Sequence, residues 1–316
     1  MKFLNNKIFK FLLKLTVSLF FVAWLVLKIK WGEVLNHAMQ IAWWQIVLYV
    51  AVLLVGMMIS AYKWELLARA KDFDFPLKKY FQLYLTGTFL NNFFPSFIGG
   101  DTYRAYQLGK PARKYIAATS TVMMDRVTGL LGAMILSVFF AVLNWRVVIE
   151  HRPLLLIAGI ALIVLLGVLV TGLVVKLPFW KLLAKFTPKK ILEVIKDFGQ
   201  YQGSIALKKA LLFSVIYGLI GLALVNYVLF SALGIQLGLL NYLTVIFLVS
   251  IVSSIPVSVN NIGIKEWAYV TFFGFFGVSA SAVVTIAIIS RVLQMLVSFV
   301  ALPMYLKSKT ENSRAN

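Results

Sequence analysis

Between positions 210 and 264 the chain carries no charged residue, an uninterrupted run of 55. As one straight helix that run would be ~80 Å long, against a hydrocarbon core of ~30 Å. It must therefore turn within an apolar medium. Its punctuation shows where: Gly234 and Gly238 first, then Pro256, Asn260, Asn261 and Gly263. Backbone inside lipid has to be helical or closed into a barrel. Irregular backbone is tolerated there only where protein covers it or water wets it. The expected fold class is all-α, a polytopic integral membrane protein. Composition agrees: 61% of residues are hydrophobic and 13% charged, where a soluble domain carries ~25% charged.

Apolar stretches of roughly spanning length lie at 11–27, 43–62, 115–145, 153–175, 210–233 and 280–306. Two more are broken, one over 80–98 by Pro95 and the Gly99–Gly100 pair beyond it, the other by Pro256. The expectation is six spanning helices plus two re-entrant broken-helix hairpins, in one transmembrane domain over 1–306. Residues 176–209 are basic and half apolar, and read as an amphipathic helix on the cytoplasmic surface. The polar tail, 307–316, reads as disordered. The N-terminal segment is basic, then apolar, without a small-residue cleavage site, and reads as an uncleaved first span.

The chain has 31 Lys and Arg against 11 Asp and Glu, a net charge of +20. These charges sit in short loops, so an anionic membrane surface is the expected partner rather than nucleic acid. With re-entrant hairpins, every heavily basic loop falls on one side. The excess of Lys and Arg makes that side cytoplasmic, and both termini with it. Localisation in the cell membrane follows. Cysteine is absent, which removes disulfides and thiol chemistry. His37 and His151 have no partner that would make a metal site. No nucleotide loop or catalytic signature is found, so neither a cofactor nor an enzyme is expected.

The two broken stretches form a repeat: span, hairpin, span carrying an arginine. Asp125-Arg126-Val127 answers Ser290-Arg291-Val292. Pro95 to Arg126 is 31 positions and Pro256 to Arg291 is 35. The halves enter from opposite sides, an inverted repeat of the transporter kind. Candidate substrate-binding residues in the first break are Asn91, Asn92, Pro95, Gly99, Gly100, Asp101 and Arg104. In the second they are Pro256, Ser258, Asn260, Asn261, Gly263, Lys265 and Glu266. Proline removes a helix hydrogen bond and glycine permits left-handed backbone. Helices starting near Asp101 and near Lys265–Glu266 would offer amide groups to an anion. Asp125, Arg126 and Arg291 lie deep in apolar spans. An unpaired charge there costs ~2.5–3.5 kcal/mol, so the arginines are paired, with Asp101 or Glu266, or used on a phosphate. Both readings stay open. Glu65 with Lys63 reads as an interfacial pair.

FLNNFFPSFIGGDTYR and IPVSVNNIGIKE resemble the two signatures of the lysylphosphatidylglycerol synthase transmembrane region. That is the flippase-like domain of the multiple peptide resistance factor and of many stand-alone membrane proteins. Arg126 and Arg291 match the intramembrane arginines that follow those signatures. Pro256 and Ser258 are kept, while Val259-Asn260-Asn261 stands where the family usually has Pro-Gly-Gly. The resemblance implies a flippase moving a phosphate-bearing lipid, aminoacylated or glycosylated, between leaflets. The implied partners are a phospholipid or a polyprenyl-phosphate-linked lipid, and a lipid synthase or a second copy. Without a synthase domain, aminoacyl transfer is not expected. The alternatives are an enzyme acting on a lipid-linked sugar or head group, with Asp101 or Glu266 as base, and a non-transporting accessory subunit of lipid synthesis.

Overall fold

The structure, a computed structural model, describes residues 7–94, 98–174, 201, 203–255 and 258–306. All regular secondary structure among them is helical. In chain order the helices are α1 (Lys7–Lys28), α2 (Trp31–Gln40), α3 (Trp43–Arg69), α4 (Leu77–Asn91), α5 (Ile98–Gly109) and α6 (Tyr115–Leu143). There follow α7 (Trp145–Glu150), α8 (Arg152–Val174), α9 (Ile205–Ala232), α10 (Leu239–Ser254), α11 (Ile264–Gly274) and α12 (Ala280–Leu306). Ser204 Oγ accepts the Leu207 N–H at 3.1 Å, so α9 starts at Ile205, earlier than the expected 210. The helix then passes through a π-helical stretch, Gly218–Leu224. Pro95, Pro256, the tail and the amphipathic segment up to position 200 lie outside the described residues.

The all-α, polytopic expectation holds, but the span count differs from six. Among the described residues α3, α6, α9 and α12 are the four helices long and apolar enough to cross a membrane. The first expected span is one arm of a bent pair: Leu15–Lys28 and Trp31–Gln40 meet at 84° and together make at most a fifth crossing. The expected span at 153–175 is α8. Its described apolar part is Arg152–Val168, ~26 Å of helix against ~30 Å of hydrocarbon.

The two broken stretches are hairpins that enter and leave on one side. Phe73, ahead of α4, and Leu108, near the end of α5, share one buried cluster with Tyr80 and Leu83. Lys114 pairs with Asp72 at 3.5 Å across the same mouth. In the second hairpin Tyr242, near the start of α10, meets Phe273, near the end of α11, with ring centroids 6.2 Å apart. The mouths face opposite ways. Ala118, at the start of α6, belongs to the first cluster. At the other end of α6, Asn144 donates to Asn241 Oδ1 at 2.8 Å, and His151 stacks on Phe275 at 4.6 Å. The halves are therefore inverted about α6, as the repeat predicts.

Small residues bring the spans together. A Cβ on Gly56 of α3 would stand 2.6 Å from Gly221 Cα of α9. Lipid supplies no hydrophobic drive between helices, so close backbone approach and dispersion hold such a crossing. Gly56→Leu is expected to destabilise by ~1–3 kcal/mol or more through overpacking, read as folded fraction in an SDS titration of detergent micelles. Gly159 has nothing within 4 Å of its would-be Cβ, and Gly159→Ala should be neutral. Equal effects at both positions would contradict the crossing.

Candidate functional site

Gly99 and Gly100 lie within the first turn of α5 and are helical, not left-handed as expected. Their role is close approach: a Cβ on Gly100 would collide with the Gly87 carbonyl of α4, and one on Gly99 with the Phe94 ring. Asn91 Oδ1 accepts the Gly100 N–H at 2.9 Å and fastens the two arms. Asp101 thereby faces α6 from the first turn of α5, where an anion suits the helix dipole. It accepts Arg126 Nε at 2.9 Å and Nη2 at 3.0 Å, and Arg104 Nη2 at 3.1 Å.

Arg104 is 3% exposed and lies 4.7 Å from both the Trp64 and the Tyr84 ring centroids. It also donates to Asp125 Oδ2 at 3.2 and 3.3 Å. Asp125 pairs in turn with Lys63 of α3 at 2.9 Å. The result is a ladder of alternating sign, Lys63, Asp125, Arg104, Asp101, Arg126. The expected Lys63–Glu65 pair is not formed. Glu65 instead accepts Arg69 Nε at 2.9 Å, because helix residues four apart face each other and residues two apart do not.

The second hairpin turns through left-handed backbone at Asn260 (φ 49°), Asn261 (φ 56°) and Gly263 (φ 88°). Asparagine is among the few residues other than glycine that visit this region readily. Asn260-Asn261 thus does here what glycines would do. Glu266 Oε2 accepts the Gly263 N–H at 2.7 Å and closes the start of α11, while its Oε1 accepts Arg291 Nη2 at 2.9 Å. Arg291 Nη1 also donates to the Asn260 carbonyl at 3.3 Å, and Asn261 Nδ2 to the Ser253 carbonyl.

The two halves share one register. Asp101 precedes Arg126 by 25 residues, and Glu266 precedes Arg291 by 25. The acids align the repeat better than the prolines, whose spacings are 31 and 35. Each arginine stands eleven residues after the first of its helix, Tyr115 or Ala280. That is ~16 Å along the helix, near the middle of a hydrocarbon core of ~30 Å.

Between the hairpins lies a cavity of about 280 Å³. The described residues on either side of it meet, with Asn260 Nδ2 donating to the Asn91 carbonyl at 3.4 Å. Its walls include Asn91, Asn92, Asp101, Arg104 and Arg126 from one half, and Asn260, Asn261, Lys265 and Arg291 from the other. Arg126 is 50% and Arg291 33% exposed. Gly99, Gly100, Asp125, Ser258, Gly263 and Glu266 do not line it; Asp125 and Glu266 brace residues that do. Tyr84, Tyr217 and Gln294 line it too, unforeseen from the sequence. Gln294 was legible as a polar residue one turn beyond Arg291 in an apolar helix. Tyr217 was not, since nothing in the uncharged run around it marks which face meets the cavity.

Among the described residues, charge does not balance here. Lys63, Arg104, Arg126, Lys265 and Arg291 stand against Asp101, Asp125 and Glu266, leaving two positive charges in excess. Among the described residues Lys265 has no carboxylate within salt-bridge distance. Its ammonium lies 5.5 Å from the Tyr269 ring centroid.

A family model described as "Lysylphosphatidylglycerol synthase TM region" matches residues 11–301. A UPF0104 membrane protein of Methanothermobacter thermautotrophicus is 24% identical over 261 residues, covering 73% of this chain and 75% of the relative.

Proposed function

The chain belongs to the lysylphosphatidylglycerol synthase TM-region family, and from that premise we propose that it carries a phosphate-bearing membrane lipid between leaflets, holding the head group between its two hairpins. The observation that supports this most is the surplus of positive charge in a cavity halfway along the spans. Charge at that depth costs ~2.5–3.5 kcal/mol per residue when uncompensated. A cavity with two charges in excess therefore favours an anionic occupant. Arginine's planar fork suits phosphate in particular. The volume, about 280 Å³, suits a head group whose tails stay in lipid.

The sign of the surplus also ranks substrates. A phosphodiester or a pyrophosphate-linked sugar reduces it, whereas a net cationic aminoacylated head group adds to it. Glycosylated phosphate lipids are thus favoured. Inverted hairpins meeting at the site suit alternating access. The basic loops after α3 and α5 face the cytoplasm in this reading. Chemical change of the lipid is not proposed, because Asp101 and Glu266, the two carboxylates able to serve as base, both accept from arginine.

Leaflet-resolved transfer in proteoliposomes tests this. A labelled phosphatidylglycerol is expected to cross faster than its phosphatidylcholine counterpart, with lipid masses unchanged. Equal rates, or no transfer above protein-free liposomes, would sink the proposal; an altered lipid mass would point to an enzyme.

A further inference from the structure

A second concavity, of about 600 Å³, runs along the seam of α5 and α6. Ala105, Val122, Met123 and Val127 make its walls apolar. Tyr106 and Tyr115 stack across its outer end, with centroids 5.8 Å apart and planes 17° apart. Met123 and Val127 are exposed on a helix that crosses the membrane, so the groove opens toward lipid. At its inner end stand Asp101 and Arg126, the two residues that also line the polar cavity. From Tyr115 to Arg126 is about three helical turns, ~16 Å. One path therefore leads from an apolar trough to a charged chamber, with an ion pair at the join.

We propose that the α5–α6 groove holds one hydrocarbon chain of the transported lipid and is the lateral port for its head group, with the Asp101–Arg126 pair as the latch. This rests on the reading of the cavity as a head-group site. The occupant is an amphiphile because the groove has an amphiphile's pattern: a long apolar trough ending on a cation. Arg126 presents Nε and Nη2 side by side to Asp101, and a phosphate offers the same two-oxygen edge. Exchange of one anion for the other admits the head group without stranding the arginine at mid-membrane depth. The chain stays in contact with lipid throughout, and its burial against the trough supplies affinity in proportion to its length.

The test uses the full chain in nanodiscs containing phosphatidylglycerol with a diazirine in one acyl chain. After illumination, peptide mass spectrometry is expected to find adducts concentrated on residues 119–127. Thr102→Trp/Met123→Trp fills the groove from exposed positions, and adducts there should fall ~10-fold. Adducts spread evenly over the lipid-facing helices, or unchanged by the tryptophans, would overturn the groove assignment. In parallel, soluble glycerol phosphate, which has no chain, is titrated against the thermal stability of both proteins. Stabilisation of both supports the cavity reading whatever the adduct map shows. Absence of stabilisation in the parent protein refutes the head-group site and the latch with it.

Discussion

In proteoliposomes, Arg126→Ala/Arg291→Ala is expected to slow transfer of an anionic phospholipid by ~100-fold or more. Each charge-assisted hydrogen bond to a phosphate is worth ~1.5–3 kcal/mol, or ~10- to 100-fold, and each arginine presents a fork. A purely structural role for the two ion pairs would also harm the protein, so the decisive comparison is with the acids. Asp101→Asn keeps the Arg126 cation at the cavity and weakens its internal competitor, leaving Arg104 its pair with Asp125. If Arg126 receives the phosphate, Asp101→Asn should hold or tighten anionic lipid, while Arg126→Ala loses it. If the pair is only a brace, the two variants should fail alike. Arg126→Lys adds a third readout. It keeps the charge and removes the planar two-point donor, so transfer should fall to an intermediate rate. Transfer by Arg126→Ala/Arg291→Ala at the parental rate would dismiss the cavity as the route.

The same residues show what the sequence discloses and what it hides. A single arginine in an otherwise apolar run is conspicuous because charge there is costly, so Arg126 and Arg291 were legible. Their acids were legible as the first carboxylates after each break. The shared spacing of 25 was present in the sequence but obscured by measuring from proline. Proline marks where a helix stops, whereas the acid marks which turn faces the neighbouring span. Lys63 was misread because proximity in sequence suggested Glu65; the helical period points Glu65 at Arg69, and Lys63 inward. In sequence, Gly99–Gly100 suggests a break with left-handed backbone, which glycine permits. Only the folded hairpin reveals that Gly100 makes room for the Gly87 carbonyl and Gly99 for the Phe94 ring. Asn260-Asn261 was legible as a departure from the family pattern, and the backbone angles supply the reason it is tolerated. The bend of 84° between α1 and α2 has no comparable mark, since apolar composition alone does not distinguish a crossing from a helix that turns aside.

The strongest effect on folding is expected at Asp125. Its carboxylate, 3% exposed, is shared by Lys63 at 2.9 Å and Arg104 at 3.2 Å, which are themselves 4% and 3% exposed. Asp125→Leu leaves two buried cations facing each other. Removing one partner of a buried ion pair costs ~3–5 kcal/mol because the remaining charge is stranded. The loss should appear as an early SDS unfolding midpoint and as poor recovery from membranes. Lys63→Met in the same chain removes one stranded cation and should restore part of the loss, whereas Lys63→Met alone leaves Asp125 paired with Arg104 and should cost less. The signature is thus a large favourable coupling in the Lys63–Asp125 double-mutant cycle. Additive effects would mean that the ladder is a coincidence of packing. A positive coupling would explain why so expensive a set of charges is retained beneath the cavity. Arg104, clamped between Trp64, Tyr84 and Asp125, holds Asp101 in place, and Asp101 occupies the Arg126 fork until another anion replaces it.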